Sequence, residues 1–213
     1  TSTDAGSNNG SDVANWVFDS ARKAGDSAVV ASDSNCYVVV FRSVGRQEYA
    51  TKDVRHILFK VDESALDSEA ETYEADLQAA KDAAKAASED ALAQWKAGEA
   101  TEDSFAALAN ELSTDAGSNT NGGLYTKIYK NQMVTEFNDW CFDASRQSGD
   151  TGIVYGESSN YKGYHVMYFV GDDVPYWQVQ AENALRNADT EAWLDGLLDS
   201  AEVVQENGMK HVG

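Results

Sequence analysis

A partial internal duplication limits what this chain can fold into more than any other feature of its sequence. The heptapeptide Ser2–Asn8 recurs letter for letter at Ser113–Asn119. The segment Asn15–Asp26 is echoed at Asp139–Asp150, and both read W-x-F-D-x-x-R-x-x-G-D. A repeated segment is the sequence signature of a repeated structural unit. The chain therefore contains two related units, a first and a second repeat.

The first repeat reproduces only the back half of the second. Its strand-like run Cys36–Phe41 aligns with Tyr164–Phe169, whereas the front half of the second repeat has no counterpart in this chain. Half a sheet leaves unpaired strand edges and an uncovered apolar face. Three ways of completing it stay open: an upstream segment, the chain's own tail at Met209–Val212, or a second molecule in a homodimer formed by strand exchange.

Five motifs follow one another in the second repeat. Two of the three histidines lie in apolar, strand-like runs, Arg55–Phe59 and Gly163–Phe169. The other three motifs lie between them and are F-A-A-L-A-N-E-L-S-T-D at Phe105–Asp115, N-G-G-L at Asn121–Leu124 and M-V-T-E-F at Met133–Phe137. Together they resemble the parvulin (rotamase, PpiC-like) family of peptidyl-prolyl cis/trans isomerases and are similar to exported bacterial foldases of the PrsA/SurA kind.

The resemblance implies an α+β fold with a parvulin-like four-stranded antiparallel sheet surrounded by helices. A half-copy of the same fold precedes it and a long C-terminal helix follows it. The expected domains are a truncated, non-catalytic repeat at 1–49, a complete isomerase domain at 50–172, and an amphipathic helix with a tail at 173–213. That tail is one candidate for completing the first repeat.

Residue patterns place the main elements. The run after Glu69 is rich in Ala, Glu, Lys and Gln and lacks Gly and Pro, which favours a long helix. Helices are predicted over Glu69–Ala97, from an N-cap at Ser104 to just before Ser113, over Met133–Gln147 and over Gln178–Val203. Later strands are predicted over Ile153–Tyr155 and Tyr164–Val170.

The resemblance also implies the site. It assigns His56, Asp115 and His165 to the catalytic centre, and Leu124, Met133, Phe137 and Phe142 to substrate binding, with Phe142 behind or beside the proline pocket. The two histidines are expected to face each other across adjacent central strands and to share a hydrogen bond. Prolyl isomerisation needs only rotation about the amide bond. Neither a metal nor a cofactor is therefore expected.

Three positions qualify this assignment. Asp115 is open to two interpretations, a carboxylate near the substrate carbonyl or a cap for its own loop. Lys162 stands where the family often has a small hydroxyl residue, which puts hydrogen bonding at that edge of the site in doubt. Tyr37 of the first repeat aligns with His165, so the first repeat is expected to be catalytically empty.

Charge limits the partners. The formal net charge of −20 disfavours nucleic acid and anionic lipid. Proline-containing, unfolded or partly folded polypeptides fit better, although the acidity also fits a purely solubilising role. The loop at 61–67 carries acidic residues where phosphate-specific relatives carry basic ones, which argues against a phosphoserine-proline preference.

The remaining composition bears on location and on alternatives. No run of roughly 18 apolar residues exists, so this segment is not expected to enter a membrane. Cys36 and Cys141 lack neighbours at metal-ligand spacing, and a disulfide between them stays open.

The expected location is extracytoplasmic, with the cytoplasm as an open alternative. The rival function is a non-catalytic holdase that presents the same apolar groove to unfolded clients.

Overall fold

The computed structural model describes residues 12–31, 35–159 and 161–201. Two compact units emerge, Glu48–Tyr176 and a second one formed by the segments on either side of it. The heptapeptide Ser2–Asn8 and the tail Met209–Val212 lie outside the described residues. The domain boundaries expected at 49/50 and 172/173 stay a prediction.

The unit Glu48–Tyr176 is built on a four-stranded antiparallel sheet. Its strands are β3 (Ala50–Lys60), β4 (Leu124–Ile128), β5 (Thr151–Glu157) and β6 (Lys162–Pro175), in the order β4-β3-β6-β5. Every neighbouring pair is antiparallel. The two histidine-bearing strands are therefore the central ones. The expected α+β class with this sheet is confirmed.

Three helices flank the sheet, α2 (Tyr73–Ala97), α3 (Glu102–Leu112) and α4 (Thr135–Cys141). Helix α2 begins later than predicted because backbone turns occupy the residues from Asp67 to Tyr73. The N-cap of α3 is Thr101, not Ser104 as predicted. Ser104 is instead the third helical residue of a capping box, in which it and Thr101 bond each other's backbone N–H.

Helix α4 is shorter than predicted and ends at Cys141 rather than near Gln147. The Asp143 carboxylate accepts hydrogen bonds from the backbone N–H and the hydroxyl of Ser145, at 2.8 and 2.7 Å. Such a local side-chain cap offers the backbone an alternative to the helix and closes a turn. Apolar spacing alone does not reveal this competition.

The sheet has two apolar faces. One face carries Ile57, Val166 and Tyr168 and packs against α2 and α3 through Trp95 and Phe105. The other face packs against α4, and its core includes Val54, Ile128, Phe137, Cys141, Met167 and Phe169. Because side chains alternate along a strand, His56 and His165 lie on this second face, the site face.

The first repeat folds as the back half of the second. Helix α1 (Asp12–Val17) is followed by a hairpin of β1 (Ser27–Ala31) and β2 (Cys36–Val40). The arginine of each repeat, Arg22 or Arg146, stacks 4.1 Å above Trp16 or Trp140 respectively. The same arginine donates from Nε to the backbone carbonyl of that tryptophan. The two repeats therefore share these arginine–tryptophan contacts as well as the sequence that forms them.

The long C-terminal helix α5 spans Tyr176–Ser200, and the end predicted at Val203 lies outside the described residues. None of its residues is buried. Both cysteines are free, Cys36 exposed and Cys141 buried, so the disulfide left open by the sequence is not formed. Across the described ranges, no helix is both long and apolar enough to cross a membrane.

Candidate functional site

The two central-strand histidines form the core of the candidate site. In the β3–β6 register Leu58 lies opposite His165, and Met167 lies opposite His56, which makes the histidines diagonal neighbours on the site face. Their Nδ1 atoms are 3.0 Å apart, and their rings stack at 5.1 Å between centroids. Both side chains are buried. The hydrogen bond expected between His56 and His165 is confirmed.

Asp115 anchors the other side of His56. Its Oδ2 lies 2.9 Å from His56 Nε2 and accepts hydrogen bonds from Ser118 Oγ at 2.6 Å and Tyr125 Oη at 2.9 Å. Its Oδ1 accepts from the backbone N–H of Gly117 at 3.2 Å. The two interpretations of this carboxylate therefore hold together, since one oxygen caps the loop and the other enters the site.

Electrostatics determine the charge states in this network. The bond from His56, supported by those from Ser118 and Tyr125, holds the pKa of the Asp115 carboxyl well below its usual range, although burial opposes this. Burial, with the Asp115 bond, raises the pKa of Tyr125 to about 12. Asp115 is therefore an anion with three donors, and Tyr125 keeps its proton.

His165 is neutral. Burial lowers its pKa to about 3, and repulsion from His56 acts in the same direction against a weaker attraction from Asp115. Tyr161 Oη lies 3.0 Å from His165 Nε2. A neutral imidazole carries one ring proton, so His165 donates in one of its two contacts, to Tyr161 Oη and to His56 Nδ1, and accepts in the other.

Lys162 departs from the family pattern, but the residue before it supplies a hydrogen bond at this edge of the site. Lys162 Nζ turns away to pair with Glu63 Oε2 at 2.7 Å. The preceding Tyr161 supplies the hydroxyl that bonds His165. Hydrogen bonding at this edge, which the sequence left in doubt, is therefore present.

An apolar wall faces the polar network. Phe137 is buried, and its ring meets His56 and His165 edge to face at 5.6 and 5.3 Å between centroids. Met133 and Val134, which precede α4, pack in the same cluster. Together with the polar network they form a cup of about 320 Å³. The cup is lined by His56, Leu58, Lys60, Asp115, Tyr125, Gln132, Met133, Val134, Phe137, Ser158, Tyr161 and His165.

The cup brings together five of the seven residues expected at the site, namely His56, Asp115, Met133, Phe137 and His165. Leu124 does not line it. Leu124 pairs with Arg55 and Tyr125 with Val54, so Tyr125 lies on the site face and Leu124 does not. Phe142 packs behind the cup, against the core that contains Phe137 and against the ring of Tyr49.

Sequence reasoning missed three hydroxyl residues of the network, Ser118, Tyr125 and Tyr161. Ser118 had a signal, because it stands three residues after Asp115 within the duplicated heptapeptide. Tyr125 and Tyr161 had none, since their roles depend on strand register and on the path of a turn. Within the described ranges no group of three or more His, Cys, Asp or Glu residues could hold a metal ion.

Comparison with known families identifies the domain. The family model for the rotamase, or PPIC-type PPIase, domain matches residues 56–171, which is more than half of the chain. The chain belongs to this family. The match begins at His56 and includes every residue proposed above for the site. Comparison with curated proteins finds no significant match.

Comparison with solved structures finds similarity to the following two. A peptidylprolyl isomerase (PrsA) from Bacillus cereus is 22% identical with a TM-score of 0.40, over 76% of this chain and 54% of that one. A Campylobacter jejuni structure, from work on the SurA-like chaperones PEB4 and the periplasmic protein Cj1289, is 23% identical with a TM-score of 0.37, over 74% of this chain and 56% of that one. The chain thus spans about half the length of these two structures.

Acidification is expected to destabilise the PPIC-type domain through His165. Its pKa is about 3 when folded and 6.5 in the unfolded chain, so between these values the unfolded state binds more protons. The contribution of His165 to the free energy of unfolding is fully present above pH 6.5. Below pH 6.5 it falls by roughly 1.4 kcal/mol per pH unit. Urea unfolding at pH 7.5 and pH 5 should therefore differ by about 2 kcal/mol.

The matched control is His165→Gln, whose side chain does not titrate. This variant should lose the part of the pH dependence that His165 contributes. Nitrogen NMR shifts of the imidazole should show a neutral His165 ring at pH 5. An equal pH dependence in both proteins, or a charged ring at pH 5, would contradict the assignment.

Proposed function

We propose that this chain is a peptidyl-prolyl cis/trans isomerase that acts on proline-containing segments of unfolded or partly folded polypeptides. The observation that carries the proposal is the cup, in which the apolar wall of Met133 and Phe137 stands beside the network of His56, His165 and Asp115. A proline ring is apolar and its amide is polar. The cup offers a surface of matching character to each.

The proposed mechanism is non-covalent. Rotation about a peptide bond faces a barrier of roughly 18–20 kcal/mol because the amide loses its resonance. A pocket lowers this barrier if it complements the twisted amide better than either planar form. Met133 and Phe137 would hold the proline ring away from water, where the twisted amide keeps less charge separation and is less penalised by desolvation.

The histidines and Asp115 take different roles in this proposal. His56 and His165 shape the site face, and His56 holds the position of Asp115. The carboxylate of Asp115, with three donors on Oδ2 and about a fifth of its side chain exposed, supplies a fixed negative charge beside the substrate amide. A fixed charge favours the amide form whose dipole it complements. No proton transfer is required.

The proposed clients follow from charge and from the open cup. The net charge of −20 favours neutral or basic segments over nucleic acid. An extracytoplasmic location, as in exported foldases, completes the proposal and rests on the resemblance to them. A fusion of the chain's natural precursor to a reporter that is active only outside the cytoplasm would test this location.

A holdase without turnover is the second candidate. The observation that favours it is the large exposed apolar surface of the first repeat and of α5, which could bind unfolded segments. The presence of the complete His56–Asp115–His165 network in the second repeat favours turnover, because an apolar groove alone would need no such network.

Exchange NMR on a panel of short Xaa-Pro peptides tests the proposal. Wild type should accelerate cis-to-trans exchange, and Met133→Ala should lower the rate constant roughly 10-fold or more, as expected when a pocket loses one apolar contact. Leu124→Ala is the matched control, because Leu124 lies in the same unit outside the cup. It should leave the rate close to wild type.

Each outcome assigns a function. Acceleration that falls only in Met133→Ala supports turnover at the cup. An equal loss of the exchange rate in Leu124→Ala would mean that the substrate does not bind in the cup. A folded wild type that accelerates no peptide, but suppresses aggregation of an unfolded client, would support the holdase and overturn the isomerase proposal.

A further inference from the structure

Two methionines pack in the apolar core on the site face, and they differ in access. Met133 and Met167 belong to the same cluster. Met167 lies in the central strand β6, between β3 and β5, and is 0% exposed. Met133 lies in the bend before α4, is half-buried and lines the cup. A small molecule that enters the cup therefore reaches the side chain of Met133 and not that of Met167.

The thioether of methionine reacts with peroxides. A lone pair of the sulfur attacks one peroxide oxygen, so that an S–O bond forms while the O–O bond breaks. The proton of the transferred hydroxyl passes to the leaving hydroxide, which departs as water. Sulfur is thereby oxidised by two electrons, hydrogen peroxide is reduced to water, and the product is methionine sulfoxide.

Neither cysteine competes for an oxidant in the cup. Cys141 is 0% exposed, and burial raises the pKa of its thiol to about 12 against a weaker attraction from Arg146. Because the thiolate is the reactive form, this thiol is inert. Cys36 is exposed, but it belongs to the other compact unit and does not line the cup. Among the described residues that line the cup, Met133 is thus the side chain that dilute hydrogen peroxide oxidises.

The position of Met133 makes its oxidation consequential. Met133 forms the apolar wall with Val134 and Phe137, opposite the polar network. Oxidation converts its flexible apolar side chain into a polar one. The new oxygen holds water, and a proline ring could pack on this wall only after that water had been removed without replacement.

We propose that Met133 is an oxidation site that controls the cup: a peroxide converts it to methionine sulfoxide and thereby lowers the rate of isomerisation. The loss of rate rests on the proposed function, whereas the modification itself does not. Reduction by a methionine sulfoxide reductase reverses the change.

Charge selects the class of oxidant. The formal net charge of −20 repels anionic oxidants from the chain, and the Asp115 anion repels them within the cup. Lys60, which also lines the cup, offsets part of this repulsion. A small neutral oxidant meets no such repulsion. Hydrogen peroxide is therefore the reagent that tests the site.

Peptide mapping by mass spectrometry tests the modification. In the folded chain, Met133 should be oxidised roughly 10-fold faster than Met167 or more, because Met167 is reached only when the sheet opens. In urea the two methionines should be oxidised at the same rate. This comparison within one chain needs no activity measurement.

Exchange NMR on the same samples tests the consequence. The wild-type rate should fall in step with Met133 sulfoxide, roughly 10-fold at full conversion, as expected when a pocket loses one apolar contact. Met133→Leu, compared with itself before treatment, should keep its rate. Methionine sulfoxide reductase should restore the wild-type rate, whereas dithiothreitol alone should not.

Two variants control for oxidation elsewhere. Cys36→Ser removes the exposed thiol, and Met209→Leu removes the methionine that lies outside the described residues. Both should lose rate on oxidation as wild type does. Circular dichroism should show that the oxidised wild type stays folded, because the change is confined to the wall of the cup.

Four results would overturn the proposal. Equal oxidation of Met133 and Met167 in the folded chain means that the cup gives no selective access. An unchanged rate at full oxidation of Met133 means that the wall tolerates the sulfoxide. A loss of rate that persists in Met133→Leu means that another side chain is responsible. Unfolding of the oxidised chain means that the effect is not local to the cup.

Failure of the proposed function is distinguishable from these results. A wild type that accelerates no peptide before treatment overturns the isomerase proposal, and with it the control of isomerisation by Met133. Peptide mapping then still decides whether Met133 is the residue that peroxide modifies.

Discussion

Replacing Gly123 by alanine is expected to unfold the site side of the sheet, with a loss of roughly 4 kcal/mol or more in the free energy of unfolding. Gly123 has a φ of +69°, and an added Cβ would overlap the backbone carbonyl oxygen of His56. The same Cβ would press on Ala109 of α3 at 3.0 Å. Both neighbours belong to packed regular structure and cannot give way locally.

The position cannot move away without losing hydrogen bonds. The Gly123 carbonyl accepts from the backbone N–H of His56, and its own N–H donates to the Ser118 carbonyl, both at 2.9 Å. Shifting Gly123 therefore separates β4 from β3 beside His56 and displaces the loop that carries Ser118. Urea denaturation and thermal melting measure the loss.

Two glycine controls separate steric overlap from backbone strain. Gly149 has a φ of +91° with open space around it, so Gly149→Ala should show only the strain of a left-handed alanine, about 1 kcal/mol. Gly171 has neither a positive φ nor a neighbour within 4 Å, so Gly171→Ala should be close to neutral. If all three variants lost the same stability, overlap with His56 would not be the cause.

Phe137→Ala is the second large effect, with an expected loss of about 3–5 kcal/mol in the free energy of unfolding. Phe137 is 1% exposed and packs edge to face against both histidines. Its removal leaves a cavity bounded by the site face and α4. The loss combines the transfer free energy of the ring with that of the cavity.

Phe137→Leu provides the matched comparison. Leucine keeps most of the apolar volume but no aromatic edge, and it should cost less than about 1.5 kcal/mol. Under conditions in which both variants are folded, the isomerisation rate should fall further in Phe137→Ala than in Phe137→Leu. A loss of under 1 kcal/mol for the alanine variant would show that Phe137 is not packed as described.

The central features of the fold could be predicted from sequence because they depend on local patterns. The runs Arg55–Phe59 and Gly163–Phe169 are short and apolar, which is typical of buried strands, and the resemblance to the parvulin family implies that they are adjacent central strands. The hydrogen bond between the histidines follows once these strands are neighbours. The echo of Asn15–Asp26 at Asp139–Asp150 likewise predicts matching contacts, and in both copies the arginine donates to the carbonyl of the tryptophan six residues earlier.

Helix ends were less predictable. Ser104 and Thr101 are both suitable cap residues, and the structure uses Thr101 as the cap and Ser104 as its reciprocal partner. At α4 the apolar spacing continues past Cys141, while the Asp143 turn stops the helix. In both cases two local hydrogen-bonding schemes compete, and the surrounding packing selects one.

By itself, the sequence determined the incomplete first repeat through its duplication. The order of five motifs determined the family and the antiparallel sheet, and predicted five residues that the structure brings together in the cup. Only the tertiary structure decided that Tyr125 enters the cup in place of Leu124. The register of β4 against β3 shifts between Lys52 and Val54. A shift of one residue in a strand exchanges its two faces, and no property of the strand's own residues reports it.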